Sequence, residues 1–183
     1  MPTNSNLSSI KNRVKSLISD KEIIEIVVFG SILKGKVSPS DVDLAVILDK
    51  KPSQQLLKKI NSFNEFHISI LTANEFFLNS PSIVHTLVRE GYGLKNNKFL
   101  AENFKFSNKI LYNYSLISFP ASMKVKIVNI LRGKREEKGI VESNEGKWLA
   151  NQVFVVPINS EKLFEEFFSR FSIKFTKSYV LIH

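Results

Sequence analysis

Two apolar segments, separated by a short polar loop, restrict the fold of this chain more than any other feature. Residues 22–29 read EIIEIVVF and residues 41–48 read DVDLAVIL. Both segments are rich in β-branched residues, which predicts two buried strands. Alternate residues of a strand point to the same face. Asp41 and Asp43 would therefore project together, away from the apolar side chains of Val42 and Leu44.

The two aspartates raise an electrostatic problem that points to a metal ion. Neighbouring carboxylates repel one another, and burying them without a partner is costly. A divalent cation would remove that cost, and carboxylate oxygens suit Mg²⁺ or Mn²⁺. We therefore predict that Asp41 and Asp43 bind a metal ion. An Asp-x-Asp pair alone also occurs in turns, in helix caps and on solvated strand faces.

A Gly-Ser pair, Gly30-Ser31, ends the first strand. A glycine allows a backbone to come close to a ligand, and free N–H groups at the start of a helix bind anions. The Ser31 hydroxyl adds a donor, and Lys34 and Lys36 follow at a spacing that could reach phosphate groups. A phosphate-binding turn beside a carboxylate pair is the minimum apparatus for phosphoryl or nucleotidyl transfer.

The first half of the chain continues as an alternation of helices and strands. Apolar spacing predicts helices over residues 7–20, 52–63, 74–80 and 81–91, and a third strand over residues 65–72. The polar stretch 95–108 is weakly periodic, which indicates a linker. We therefore predict a first domain over residues 1–103.

The second half, residues 104–183, is predicted to be a small α+β module that binds nucleic acid or a partner. Helices are indicated over 120–133 and 160–171, and strands over 152–158 and 174–183. Seven cations cluster in it, with Trp148 and other aromatics nearby: Lys124, Lys126, Arg132, Lys134, Arg135, Lys138 and Lys147. Cations with interleaved aromatics are typical of nucleic-acid binding. Glu136 and Glu137 interrupt the run, and a solvated turn explains it equally well. Core or interface positions are predicted for five residues of this segment: Leu163, Phe164, Phe167, Phe168 and Phe171.

The motifs of the first half resemble the minimal nucleotidyltransferases of the DNA polymerase β superfamily. The signature of that superfamily is a Gly-Ser, a further glycine and a Ser-Asp-x-Asp that opens a strand. The matching residues are Gly30, Ser31, Gly35, Ser40, Asp41 and Asp43. The resemblance extends over roughly residues 7–100. It implies an α+β fold with a mixed sheet flanked by helices, a nucleoside triphosphate bound by the Gly-Ser, and metal ions bound by the aspartates.

One position departs from the superfamily pattern. Fully active members carry a third carboxylate on the next strand, whereas the strand FHISILT presents His67 and Ser69 on the corresponding face. Glu65 and Glu75 lie at the two ends of this strand, outside the expected register. His67 could act as a base, a weak ligand or a structural residue. The sequence leaves open whether His67 or Ser69 replaces the acid or activity is lost.

The resemblance implies a metal-dependent nucleotidyltransferase that moves a nucleoside monophosphate from a triphosphate to a hydroxyl acceptor, either RNA or protein. The catalytic residues would be Asp41 and Asp43, the cofactor Mg²⁺ or Mn²⁺, and the phosphate-binding residues Gly30, Ser31 and Lys34. The alternative is a weakened protein that binds nucleotide or RNA without transfer. Small nucleotidyltransferases also occur as partners of helical toxin proteins. The mixed second module on the same chain makes that arrangement less favoured here.

The composition predicts a location as well as a class. Apolar residues make up 43% and charged residues 23%, which is typical of a globular protein. The net charge of +9 is compatible with an anionic partner or with a solubility role. The chain has no cysteine and no apolar run of signal-peptide or membrane-spanning length, so we expect a cytoplasmic protein.

Overall fold

The computed structural model describes residues 4–34, 42–135 and 137–183. Contacts divide the chain into two compact units, residues 1–107 together with His183, and residues 108–182. Among the described residues, no helix combines the length and the apolar character needed to span a membrane.

The first unit is a five-stranded mixed sheet with helices on both faces. Its helices are α1 (Asn4–Arg13), α2 (Lys15–Ile18), α3 (Gln54–Asn61), α4 (Ala73–Phe77) and α5 (Ser82–Glu90). Its strands are β1 (Ile23–Phe29), β2 (Val42–Leu48), β3 (Phe66–Thr72), β4 (Tyr92–Gly93) and β5 (Lys98–Phe99). The strand order is β3-β2-β1-β4-β5, with β2 and β3 parallel and the other pairs antiparallel. The predicted mixed sheet flanked by helices is therefore confirmed.

The alternation of apolar residues along the strands gives the sheet two separate cores. Leu44, Val46 and Leu48 pack on one face with apolar residues of α1, α2 and α3. Ala45 and Ile47 pack on the other face with residues of α4 and α5. Because successive side chains of a strand point to opposite faces, the apolar run of β2 covers both.

Local sequence signals explain where several of these helices begin. The Ser53 side chain accepts a hydrogen bond from the Leu56 amide, so α3 begins after a serine cap rather than at the predicted Pro52. Thr72 and Glu75 form a reciprocal capping box at the start of α4. The single helix predicted over residues 7–20 is divided at Val14, although Val14 itself remains fully buried.

The linker predicted over residues 95–108 is wrong. This stretch contains the edge strand β5 and a 3₁₀ turn over Leu100–Phe104. Leu100 is buried in the core beside α5, and its amide donates to the Gly91 carbonyl at 2.9 Å. The segment is polar because it lies at the edge of the sheet, and its elements are too short to produce a periodic pattern.

The second unit has a β-α-β-β-α-β framework. Its strands are β6 (Ser107–Ser115), β7 (Gly133–Lys134), β8 (Glu137–Lys138), β9 (Lys147–Ala150), β10 (Val153–Pro157) and β11 (Lys174–Ile182). Its helices are α6 (Ala121–Arg132), α7 (Ile140–Ser143) and α8 (Glu161–Arg170). The main sheet has the order β11-β6-β10-β9, while β7 and β8 form a separate hairpin. This element order is that of the ferredoxin-like fold, with residues 133–146 inserted between its first helix and second strand.

Aromatic side chains form the core of the second unit. Tyr112 of β6 lies within 6 Å, centroid to centroid, of Phe154 of β10 and of Phe164 and Phe168 of α8, and these four residues are fully buried. Burial raises the pKa of Tyr112 well above its ordinary value. The core interpretation is confirmed for Phe164 and Phe168, whereas Leu163 is 41% exposed and lies outside the core. These rings are therefore not available to stack on a nucleic acid.

Candidate active site

Three strand ends meet at one edge of the first unit's sheet. Phe29, the last residue of β1, pairs with Asp43 near the start of β2, and Asp43 pairs with His67 near the start of β3. Paired residues of neighbouring strands share a face of the sheet. Asp43 and His67 therefore project from the same face, at the edge where the Gly-Ser turn follows β1.

Gly30 comes into direct proximity with the Asp43 carboxylate. Its φ is +82°, a conformation that residues with a side chain rarely adopt. A Cβ at this position would lie 2.9 Å from Oδ2 of Asp43. The two halves of the sequence motif are thus adjacent in space. The positive φ favours glycine at this position, and a Cβ there would displace the Asp43 carboxylate.

Ser31 begins a 3₁₀ turn that ends at Lys34. The Leu33 amide donates to the Gly30 carbonyl at 3.2 Å, which closes this turn. Ile32 and Leu33 are buried and anchor the turn in the core, while Ser31 is half-buried. The turn thus fixes the position of Ser31 close to the end of β1.

Asp41, the first aspartate of the motif, lies outside the described residues, as do Gly35, Lys36 and Ser40. Their assignments to the site stay predictions. Asp43 is described, and its side chain is 39% exposed. A carboxylate of this exposure can contact a dissolved ligand.

His67 is the nearest described titratable neighbour of Asp43. Its Nδ1 lies 3.6 Å from Oδ1 of Asp43, and its side chain is 71% exposed. Ser69 follows on the same face, where it pairs with Ala45. The face thus carries a histidine and a serine but no carboxylate along β3, in agreement with the sequence pattern.

The two glutamates at the ends of β3 are engaged elsewhere. Glu65 lies 3.5 Å from the Arg13 guanidinium. The backbone amide and hydroxyl of Thr72 both donate to Glu75 at 2.7 Å, and these hydrogen bonds lower the pKa of the Glu75 carboxyl. Neither glutamate supplies the third acid in this arrangement.

Lys34 forms an ion pair with a buried carboxylate. Its Nζ lies 3.0 Å from Oε2 of Glu90, a residue whose side chain is only 2% exposed at the end of α5. Arg89 Nη2 lies 3.4 Å from the same oxygen. A buried carboxylate requires such partners, so Lys34 has a structural function at this point whether or not it also contacts phosphate.

The donor set suits a divalent cation only in part. The Asp43 carboxylate and the His67 imidazole are both metal-binding groups, and two ligands of one Mg²⁺ ion lie about 3 Å apart. Within the ranges that the structure describes, no group of three or more His, Cys, Asp or Glu residues is placed to hold a metal ion. A complete site would therefore need Asp41 or the substrate's own phosphates as further ligands.

Sequence reasoning missed two buried glutamates, Glu25 and Glu90. Glu25 accepts hydrogen bonds from the backbone amides of Lys95 at 2.7 Å and Asn96 at 3.1 Å, and from the Asn96 side chain. It thereby holds the turn between β4 and β5. The available signal was a charged residue inside the apolar run IIEIVVF, because a buried charge must have partners.

Comparison with known proteins identifies the first half of the chain. A family model described as "Polymerase beta, Nucleotidyltransferase" matches residues 12–115, more than half of the sequence. One solved structure, "tri-AMPylated Shewanella oneidensis HEPN toxin in complex with MNT antitoxin", is similar at 22% identity and a TM-score of 0.29. That alignment covers 51% of this chain and 71% of the other. A search of curated proteins gave no significant match.

Proposed function

Since the chain belongs to the polymerase β nucleotidyltransferase family, we propose that it transfers a nucleoside monophosphate from a nucleoside triphosphate to an acceptor hydroxyl. One observation carries this proposal. The Gly30 backbone and the Asp43 carboxylate lie so close together that a Cβ at Gly30 would be 2.9 Å from Asp43 Oδ2. A phosphate-binding turn and a metal-binding carboxylate in this proximity can act on the same triphosphate.

The roles of the individual residues follow from their chemistry. Asp43, with Asp41, would hold Mg²⁺ or Mn²⁺, and His67 could add an imidazole ligand. When bound, the cation neutralises phosphate charge and polarises the bonds around the reacting phosphorus. The amides of Gly30 and Ser31 and the Ser31 hydroxyl would donate to phosphate oxygens. They would orient the triphosphate so that the acceptor hydroxyl attacks the α-phosphorus and pyrophosphate leaves.

The acceptor is proposed to be RNA or protein, since both offer hydroxyl groups. Lys34 was predicted to bind the outer phosphates. Its 3.0 Å pairing with Glu90 supports a structural role first. A phosphate contact by Lys34 would have to coexist with this pairing or replace it.

A second candidate function is binding without transfer. The observation that favours it is the composition of β3, where His67 and Ser69 occupy the site's face and the glutamates at its ends are engaged elsewhere. Without a third acid, deprotonation of the acceptor hydroxyl and binding of a second metal ion would both be weakened. Nucleotide binding by the Gly-Ser turn would persist.

Incubation with labelled nucleoside triphosphates and either Mg²⁺ or Mn²⁺ distinguishes the two functions. RNA and total cell protein are supplied separately as acceptors. The proposed function predicts label on one of them, lost in the Asp41→Ala/Asp43→Ala variant. Asp49→Ala removes an exposed carboxylate beyond the other end of β2 and serves as the control that retains transfer.

The absence of label from both acceptors, with wild type and double variant alike, would overturn the transferase proposal. Equilibrium binding of a labelled triphosphate then tests the second function, because binding that survives without transfer identifies a nucleotide-binding protein.

A further inference from the structure

The insertion in the second unit forms an open, positively charged groove. Residues 133–135 and 137–146 form β7, β8 and α7 beside α6, and the groove between them has a volume of about 560 Å³. The cations Lys126, Lys134 and Lys138 line it, together with Glu137. The β-α-β-β-α-β framework needs only a short connection at this point. Insertions into a framework are frequent carriers of binding function.

Two glycines allow close backbone contacts, one within the β7–β8 hairpin and one between the hairpin and the end of α6. A Cβ at Gly133, whose φ is +89°, would lie 1.9 Å from the Glu137 carbonyl oxygen. A Cβ at Gly139 would lie 2.3 Å from the Leu131 carbonyl oxygen. A Cβ at Gly133 would separate the two strands of the hairpin, and a Cβ at Gly139 would separate the end of the hairpin from the helix. The hairpin lysines therefore lie on a backbone whose position is fixed by close contact.

The three lysines of the groove differ from several others in the chain. Lys59, Lys162 and Lys177 form ion pairs with Asp20, Glu166 and Glu161, respectively. In the described part of the chain, Lys126, Lys134 and Lys138 form no ion pair with a carboxylate. Among the described residues that line the groove, the three lysines outnumber the single carboxylate of Glu137, which favours an anionic occupant.

The remaining lining groups suit a phosphate–sugar backbone. Ser122, Asn129 and Ser143 add hydrogen-bond donors of the kind that contact phosphate and sugar oxygens. Val125 is 59% exposed and offers an apolar surface beside them. The described residues that line the groove include no aromatic side chain, so recognition would rest on the nucleic-acid backbone rather than on stacked bases.

We propose that the groove between α6 and the β7–β8 hairpin binds the phosphate backbone of RNA. The choice of RNA over an acidic peptide rests on the proposed function, in which RNA is one of the two acceptors, and on the hydroxyl and amide groups that line the groove beside its lysines. Binding itself requires neither a triphosphate nor a metal ion.

The test is fluorescence anisotropy with labelled single-stranded RNA, an RNA stem-loop, duplex DNA and a poly-glutamate peptide, without nucleotide or metal. The full chain is compared with the variant Lys126→Glu/Lys134→Glu/Lys138→Glu. The control Lys162→Glu/Arg170→Glu/Lys174→Glu makes the same change in net charge at exposed cations of the same unit, outside the groove. Circular dichroism verifies that each variant is folded, and the corresponding Lys→Gln variants test neutralisation without reversal.

We expect the groove variant to bind RNA about tenfold more weakly or worse, and the control to lose markedly less. The slope of log affinity against log salt for single-stranded RNA should fall by about 2, since each phosphate contact contributes about 0.7. Three results would each overturn the proposal. They are an equal loss of RNA affinity in both variants, no RNA binding by the wild type, and lysine-dependent binding of poly-glutamate or DNA in preference to RNA. Asp43→Asn is expected to retain RNA binding, so failure of transfer and failure of binding are measured separately.

Discussion

The pairing of Lys34 with Glu90 permits a quantitative test of what that lysine does. Glu90 is 2% exposed, and Lys34, which is 26% exposed, approaches it to 3.0 Å. Removal of one partner from a buried pair costs about 3–5 kcal/mol. Lys34→Met should cost somewhat less, about 2–3 kcal/mol, because Arg89 stays within 3.4 Å of the carboxylate and Lys34 is partly solvated. For a chain of this size, the melting temperature should fall by about 5–10 °C.

Adding Glu90→Gln to Lys34→Met should restore most of this loss, because the uncompensated charge is removed with its partner. Thermal melting of the two single variants and the double variant, followed by circular dichroism, gives the coupling between the residues. Lys50→Met removes an equal charge from an exposed position and should leave the melting temperature unchanged. A Lys34→Met variant that melts with the wild type would refute the structural role. Titration with a labelled triphosphate then reports whether Lys34 also binds phosphate.

Two further predictions concern the proposed site. Gly30→Ala should lower the free energy of unfolding by about 1–2 kcal/mol because of the left-handed backbone alone. It should also displace the Asp43 carboxylate, so the transfer rate should fall by more than the loss of stability explains. Thermal melting measures the stability and initial rates measure the transfer; an unchanged rate would contradict the contact. His67→Asp adds a second carboxylate near Asp43, so it should lower the melting temperature when no metal is present. When Mg²⁺ is added, the variant should melt at a higher temperature than the wild type, because two carboxylates can bind the ion. Thermal scans with and without Mg²⁺ check both signs, and an equal Mg²⁺ dependence of variant and wild type would exclude a shared ion.

The parts of the fold that could be predicted from sequence are those that produce a periodic signal or a motif. The strands over residues 22–29, 41–48 and 65–72 are confirmed to within one residue at each end, because long buried strands are rich in β-branched residues. The segment at 95–108 could not be predicted, because a two-residue strand and a single 3₁₀ turn give no period. The order β11-β6-β10-β9 depends on pairings between distant strands, and no local pattern encodes it.

The same distinction applies to the site. The adjacency of Gly30 and Asp43 follows from the motif, and the resemblance predicted it. The engagement of Lys34 by Glu90 could not be predicted, because it depends on where α5 ends relative to the turn after β1. The absence of a carboxylate on β3 was visible in the sequence. The 3.6 Å separation between His67 and Asp43 could not be predicted, because it depends on the parallel register of β2 and β3.

The hydrogen bonds of Glu25 have a consequence for how the first unit folds. The carboxylate of Glu25 binds the backbone of residues 95 and 96, about seventy positions along the chain, and the Lys95 ammonium donates to the carbonyls of Asp20 and Ile23. The turn between β4 and β5 therefore has its full set of hydrogen bonds only when β1 is also formed. Conversely, opening this edge removes the hydrogen bonds that Lys95 and Asn96 donate to the buried Glu25 carboxylate. The edge of the sheet and its centre are thus coupled in one cooperative unit, despite the short length of β4 and β5.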